Sequence, residues 1–352
     1  NETVIINVKK ISSNVFKIKT KSKNHYIYLL PNELSSLVSY GKSNINVDYY
    51  LTAYNHYLIK LDNNGNIIFY KYIDETVTNF KKENSDKIRY SYIGCDNNSI
   101  CELVILDEFY KEIDRINYNN IGIDAHDALY LDDNNYIISS YTDKVVNDFP
   151  YEIYNKTNMK IQDTLIKEIK DGKVLWEFKS SDYKELYKYF NSLGVYELKV
   201  SEEYYGNYMH FNSMVIDPND NNLLVSFRNI DSIIKINRKT GKIMWILGGY
   251  GDEFGLSDDE KFICQHSINF KDNNTLLLYD NGYKGRNSRI VELKIDENNK
   301  KIIDYKKYDL DLYTSTWGSV KYLGDDIYLV NYGVSDNIEK NNYELINLKT
   351  NK

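Results

Sequence analysis

HFNSMVIDPNDNNLLVSFRNIDSIIKINRKTGKIMWILGG, residues His210–Gly249, is the stretch whose reading decides the fold. It divides into four short runs: HFNSMVID, then NLLVSFRNI after an Asp-Pro-Asn-Asp turn, then SIIKINR, then KIMWILGG after a Thr-Gly turn. Runs of this length, alternating or β-branched and punctuated by Asn, Asp, Gly and Pro, predict an antiparallel meander. Its first two strands also carry His210, Asn212 and Arg228, where a purely structural sheet would place apolar or small residues.

The second half of this unit recurs. The hairpin pattern apolar-x-apolar-Asp-turn-Gly-x-apolar-x-aromatic appears as YLIKLDNNGNIIFYKY (57–72), LVILDEFYKEIDRI (103–116), LIKEIKDGKVLWEF (165–178), SIIKINRKTGKIMWIL (232–247) and RIVELKIDENNKKIIDY (289–305). A last copy, YELINLKTNK (343–352), stops before its second strand. Radial repetition of four-stranded sheets is a β-propeller. The fold class is therefore all-β: one domain over 1–352, a six-bladed propeller of four-stranded antiparallel blades. The truncated sixth copy needs a partner for its edge, and the N-terminal run TVIINVKK (3–10) is expected to supply it and close the ring. A β-sandwich, or a pair of them, is the competing architecture and accounts less well for the repeat.

Along the chain, residues 11–75 read as blade one, with HYIYLLP (25–31) and VDYYLTAY (47–54) as inner strands, and about 80–118 as blade two. Blade three opens at GIDAHDALYLDDNNYIISSY (122–141) and is interrupted by an insertion at 142–164. DYKELYKYFNSLG (182–194) reads as a short amphipathic helix ending at Gly194, within a rim excursion that runs from 182 to 209. Blade five begins CQHSINF (264–270) and blade six STWGSVKYL (315–323).

A net charge of −7 over 352 residues and an isoelectric point near 5.4 argue against a nucleic-acid or anionic-membrane surface. The apolar runs are strand-sized, so no transmembrane helix is expected. The chain opens at Asn1 on strand-like sequence without a signal peptide, as a trimmed export product does; an extracytoplasmic location (periplasmic, secreted or cell-surface) is the expectation. Cys95 and Cys101 could pair across a short hairpin and leave Cys264 free, or all three could be reduced core residues.

In a propeller the first strand of each blade lines the central channel, so equivalent strand heads converge at one end of it. His126, His210 and His266 occupy that position in three consecutive blades, and Arg228 lies on the second strand of the fourth. An arginine is a poor neighbour for a dication and a good one for an oxyanion, which disfavours a metal centre. Arg228, Asn212 and the imidazoles form a donor-rich pocket suited to a sulfate- or phosphate-like group. His25 and His56, isolated among tyrosines, read as structural or solvent-facing. Asp127, beside His126, reads as a strand end more than as an imidazole partner. GGYGDEFG (248–255) lacks the Lys-Ser/Thr of a phosphate-binding loop, which argues against a nucleotide donor. Cys264 has no basic sequence neighbour to activate its thiol and reads as core.

These residues resemble the successive motifs of the bacterial arylsulfate sulfotransferases: AHD (125–127), HFNS (210–213), VSFRN (225–229), INRKTGKIMWILGG (236–249), QHSINF (265–270), YDNG (279–282), SRIVELKID (288–296) and STWGSV (315–320). The resemblance covers about 122–333. It implies a six-bladed propeller that moves a sulfuryl group from a phenolic sulfate ester to a phenol acceptor, with no nucleotide donor and no cofactor. It also implies that His266 is the residue transiently sulfated, that His126, His210, Asn212 and Arg228 complete the active site, and that a hydroxyl near the last motif contacts substrate. Thr316 is the choice for that hydroxyl, with Thr314 and Ser315 close by. The better-known members carry an extra N-terminal β-domain that helps form their dimer. No room for one is evident ahead of the first blade, so the oligomeric state does not carry over. From the residues alone, a non-catalytic propeller binding a ligand or a protein on its channel face is the alternative, and a quinone- or metal-dependent enzyme is a third.

Overall fold

The computed structural model describes residues 7–12, 15–19, 24–28, 30–36, 45–118, 121–150, 158–189, 204–335 and 343–349. Among them the fold is a six-bladed β-propeller with no α-helix. Blade one is Tyr49–Ala53, Tyr57–Leu61 and Ile67–Tyr72; blade two is Thr76–Lys82, Tyr90–Cys95, Cys101–Leu106 and Glu112–Ile116. Blade three is Leu129–Asp132, Asn135–Val146, Met159–Lys170 and Lys173–Lys179, with Tyr204–Tyr205 added in parallel. Blade four is Phe211–Ile216, Leu223–Phe227, Ser232–Ile236 and Ile243–Leu247. Blade five is His266–Asp272, Thr275–Asp280, Arg289–Asp296 and Lys301–Asp309. Blade six is Ser319–Gly324, Ile327–Asn331 and Tyr343–Asn347.

Blades two to five have the expected four sequential strands, whereas one and six have three among the described residues. Among the described residues the pairing predicted between the N-terminal run and the last blade is not found, and residues 3–6 of that run lie outside the described set. Asn7–Ser12 pairs instead with Val15–Lys19, which pairs with Asn24–Tyr28, in a sheet of their own ahead of blade one. Of the inner strand expected over 25–31, residues 25–28 belong to this separate sheet. Local hairpins close a smaller loop than pairing the two chain ends requires, and that entropy favours the neighbour.

The recurrent aspartate is explained by its turn. Asp62, Asp96 and Asp107 each accept two backbone N–H groups, at i+2 and i+4, with one carboxylate oxygen. The side chain thereby satisfies donors that the ladder leaves open where the hairpin reverses.

Packing between blades follows from the two-residue period of a strand, which sends neighbours to opposite faces. Val225 and Ile234 of blade four pack with Ile137, Ile166 and Phe178 of blade three, while Leu224 and Ile233 pack with Ile268, Leu276 and Val291 of blade five. Both middle strands of blade four are buried along their whole length. Between blades four and five, buried Lys235 holds Asp217, Asp220 and Glu297 at 2.6–2.8 Å.

The insertion at 142–164 is largely a hairpin extension. Two twelve-residue strands pair continuously from Asn135↔Lys170 to Val146↔Met159; residues 151–157 lie outside the described set. The helix predicted over 182–194 is replaced, as far as residue 189, by the 3-10 turns Ser180–Asp182 and Lys184–Lys188; 190–203 lies outside the described residues. Adjacent Leu186 and Tyr187 are both buried, Tyr187 against Phe149 and Tyr208. So short a segment gains few helical hydrogen bonds against its nucleation cost, and packing decides its shape. Cys95 and Cys101 form a disulfide, and Cys264 is free and buried.

Candidate active site

The three histidines predicted from strand heads do meet. The rings of His126 and His210 lie 5.1 Å apart between centroids, and those of His126 and His266 5.7 Å apart. Arg228 sits in the turn after the second strand of blade four, its backbone N–H donating to the His210 carbonyl at 2.9 Å. Its guanidinium is almost fully buried and donates to the Ser315 carbonyl at 3.3 Å, which ties blade four to blade six. The charge of Arg228 is near enough to disfavour protonation of all three imidazoles.

The imidazoles are not equivalent. His266 is pushed down to about 3, chiefly by burial and then by His126 and Arg228, with the Gly318 backbone a weaker opposing influence. Both its ring nitrogens are buried, and neither makes a hydrogen bond of ordinary geometry to a described residue. His210 is lowered well below its usual value by burial, His126, Arg228 and His266. The Asn207 amide donates to its Nδ1 at 2.8 Å, which places the ring proton on Nε2. Burial also opposes charge on His126, but the adjacent Asp124 carboxylate outweighs it and the net shift is upward. Asp124 Oδ1 accepts from His126 Nδ1 at 2.8 Å and from its backbone N–H at 2.7 Å.

His266 is gripped from blade four on both sides. Before it, Cys264 N–H donates to Asp231 at 2.7 Å, the Asn212 amide donates to the Gln265 carbonyl at 2.7 Å, and the buried Gln265 side chain donates to Ser226, Phe227 and Ser232. After it, Ile268 N–H donates to Ser213 Oγ at 3.0 Å. His210, Cys264 and Ser267 all adopt left-handed backbone, with φ of 50°, 52° and 55°. Such conformations persist in non-glycine residues where surrounding bonds over-determine them, and they gather at functional sites.

Asn212, assigned to substrate oxygens, is 1% exposed and holds backbone. Asp127 serves the ring scaffold, accepting from Asn79, Lys81 and Met214 N–H at 2.7–3.0 Å, as a structural residue would. Of the hydroxyls near the last motif, Thr314 is buried among Tyr279, Ser288 and Asn281. Thr316 is half-buried on the same short strand, two residues before Gly318. Cys264, pushed up to about 12 mainly by burial, is a core thiol. His56 bonds backbone carbonyls of Ile73 and Glu75, as a structural histidine does. Sequence reasoning missed Asp124, Tyr141, Asn207 and Gln265. Asp124 was visible as the acidic residue two before His126, but nothing local separates it from Asp127.

Consecutive blades of the propeller thus bring three imidazoles and an arginine together. The chain belongs to the arylsulfotransferase (ASST) family, whose model matches residues 12–352. Membership implies transferase activity with a small-molecule donor and acceptor. A search of curated proteins gives no match. Among solved structures, a protein of unknown function from Bacteroides caccae is similar with a TM-score of 0.51 and 11% identity, over 86% of this chain and 90% of that one. A catalytically inactive virginiamycin B lyase from Staphylococcus aureus gives a TM-score of 0.44 and 12% identity, over 92% of this chain and 89% of that one. At such identity the first likeness is one of fold. No described helix is long and apolar enough to cross a membrane.

Proposed function

We propose that this protein moves a sulfuryl group from a phenolic sulfate ester to a phenol by a ping-pong reaction through N-sulfated His266. The observation that carries this reading is one cluster in which His266, whose ring nitrogens make no side-chain hydrogen bond, meets His126 paired to the Asp124 carboxylate. Sulfuryl transfer, like phosphoryl transfer, needs in-line positioning and stabilisation of charge on the non-bridging oxygens. A lone pair of His266 attacks sulfur; the S–O bond breaks, and its electron pair goes to the phenolic oxygen. A phenol has a pKa of about 10, so its oxygen needs a proton as the bond breaks, and His126 gives it. The ring of His266 keeps its other proton, so the imidazolium and the sulfonate balance in charge. After the first phenol leaves, an acceptor phenol gives its proton to His126, its oxygen attacks sulfur, and the N–S bond breaks.

Arg228 and the Nε2–H of His210 are the donors for the sulfuryl oxygens, and Thr316 is the hydroxyl that contacts substrate. Asn212 acts behind them by fixing the Gln265 carbonyl. The Cys95–Cys101 disulfide supports an extracytoplasmic location, because such bonds persist in oxidising compartments. Incubation with p-nitrophenyl sulfate tests the reading. A sulfuryl adduct on the peptide holding His266, discharged by added phenol, is the expected result; turnover without an adduct, or neither, overturns it.

A further inference from the structure

We propose that Asp124 is the positioning residue that commits His126 rather than His210 to the acid role, and so lets the site use sulfate esters of weakly acidic phenols. This rests on the sulfuryl-transfer reading above. The two outer histidines receive opposite partners. His210 meets the neutral amide of Asn207, which donates to Nδ1 at 2.8 Å and so requires that nitrogen to be unprotonated. His126 meets a carboxylate, which accepts from Nδ1 at 2.8 Å and so requires it to be protonated. With Nδ1 engaged, Nε2 is the ring nitrogen of His126 left for proton transfer, and the rings of His210 and His266 lie 5.1 and 5.7 Å from its own.

The carboxylate is itself fixed from several directions. Asp124 is buried, its backbone N–H donates to the Ser139 carbonyl at 2.8 Å, and it accepts both the ring and the backbone N–H of His126. The Tyr141 hydroxyl lies close enough to Asp124 for the carboxylate to raise its pKa, burial being the larger cause, and it accepts the Phe211 N–H at 3.0 Å, one residue after His210. One phenol thus links the acid's partner to the strand that carries the other imidazole. The charged groups around His126 are Asp124 and Asp127, which favour its proton, and Arg228, which opposes it. His210 and His266 are both shifted down, chiefly by burial. Asp127 is already engaged by Lys81 and Asn79, which leaves Asp124 as the carboxylate in contact with the ring.

The role has a signature that a merely structural one lacks. An acid on the leaving oxygen matters in proportion to how basic that oxygen is. The test measures single-turnover sulfation of His266 with p-nitrophenyl, phenyl and 4-methylphenyl sulfates across pH, for the wild type, Asp124→Asn and Tyr141→Phe. Expected for Asp124→Asn is a loss of roughly 10²–10⁴-fold with phenyl and 4-methylphenyl sulfates and a much smaller loss with p-nitrophenyl sulfate. The basic limb of its pH profile should move to lower pH, since His126 then loses its proton more readily. Tyr141→Phe should move both in the same direction by less. Histidine 15N NMR of the unaltered protein gives a readout that needs no variant: one site imidazole protonated on Nδ1 well above the pH at which the other two are neutral. An equal loss across all donors, an unmoved basic limb, or three alike imidazoles overturns the inference while leaving the adduct on His266 intact. No adduct on the wild type with any donor removes the underlying reading as well.

Discussion

The side-chain amide of Asn212 donates to the carbonyl of Gln265 at 2.7 Å, so that blade four holds the backbone immediately before His266. With Ser213 accepting from Ile268, the strand that carries His266 is held at its head by the neighbouring blade as well as by its own sheet. Asn212→Ala leaves a buried carbonyl unsatisfied and should cost about 1–3 kcal/mol of stability. Because the amide positions His266 without touching substrate, kcat should fall more than KM rises. Urea unfolding and steady-state kinetics on the same variant check both.

Arg228→Lys keeps the charge but loses the planar fork, and Arg228→Ala loses both. Removing one preorganised oxyanion donor typically lowers kcat by about 10²–10³-fold. Arg228→Ala should show at least this and the lysine variant an intermediate loss. The alanine variant should also raise the pKa of His266, since the guanidinium helps depress it. Histidine NMR titration reads that shift directly.

Acid should weaken the fold through His210 and His266. The unfolded chain binds protons on both as pH falls below about 6.5. The folded protein does not follow until much lower, at about 3 for His266. Stability therefore declines as pH drops through this interval. His126 acts oppositely: its stabilisation is full below its unfolded value and is lost as pH rises through its raised folded one. Denaturant midpoints of His266→Gln should fall less steeply with acid than those of the wild type.

Lys235 offers a test of the scaffold apart from the chemistry. Replacing it with alanine leaves Asp217 and neighbouring carboxylates without their buried cation, a change that typically costs about 3–5 kcal/mol. Thermal or urea unfolding should show that loss, while surviving folded protein should keep its sulfation rate.

Cys264, with its thiol pushed up to about 12 and its backbone N–H on Asp231, should resist alkylation in the native state. Cys264→Ala should retain transfer activity. Loss of the adduct in that variant, with the fold intact by circular dichroism, would move the nucleophile from His266 to the thiol.

The sequence by itself determined the blade unit, the repeat, the propeller class and the convergence of His126, His210, His266 and Arg228. Strand period and turn chemistry are local, and a ring converts equal positions in successive blades into proximity. Tertiary structure alone decided the rest. Asp124 and Asp127 flank one histidine with like chemistry, and only the placement of Asn79, Lys81 and Tyr141, contributed by other strands, assigns one to the scaffold and the other to the ring. Asn212 looked like a ligand donor because its type fits an oxyanion, but the nearest acceptor in space is a backbone carbonyl of the next blade. The short N-terminal strands paired among themselves for a similar reason: which edge a strand joins depends on loop closure and competing partners, and neither is written in its own residues.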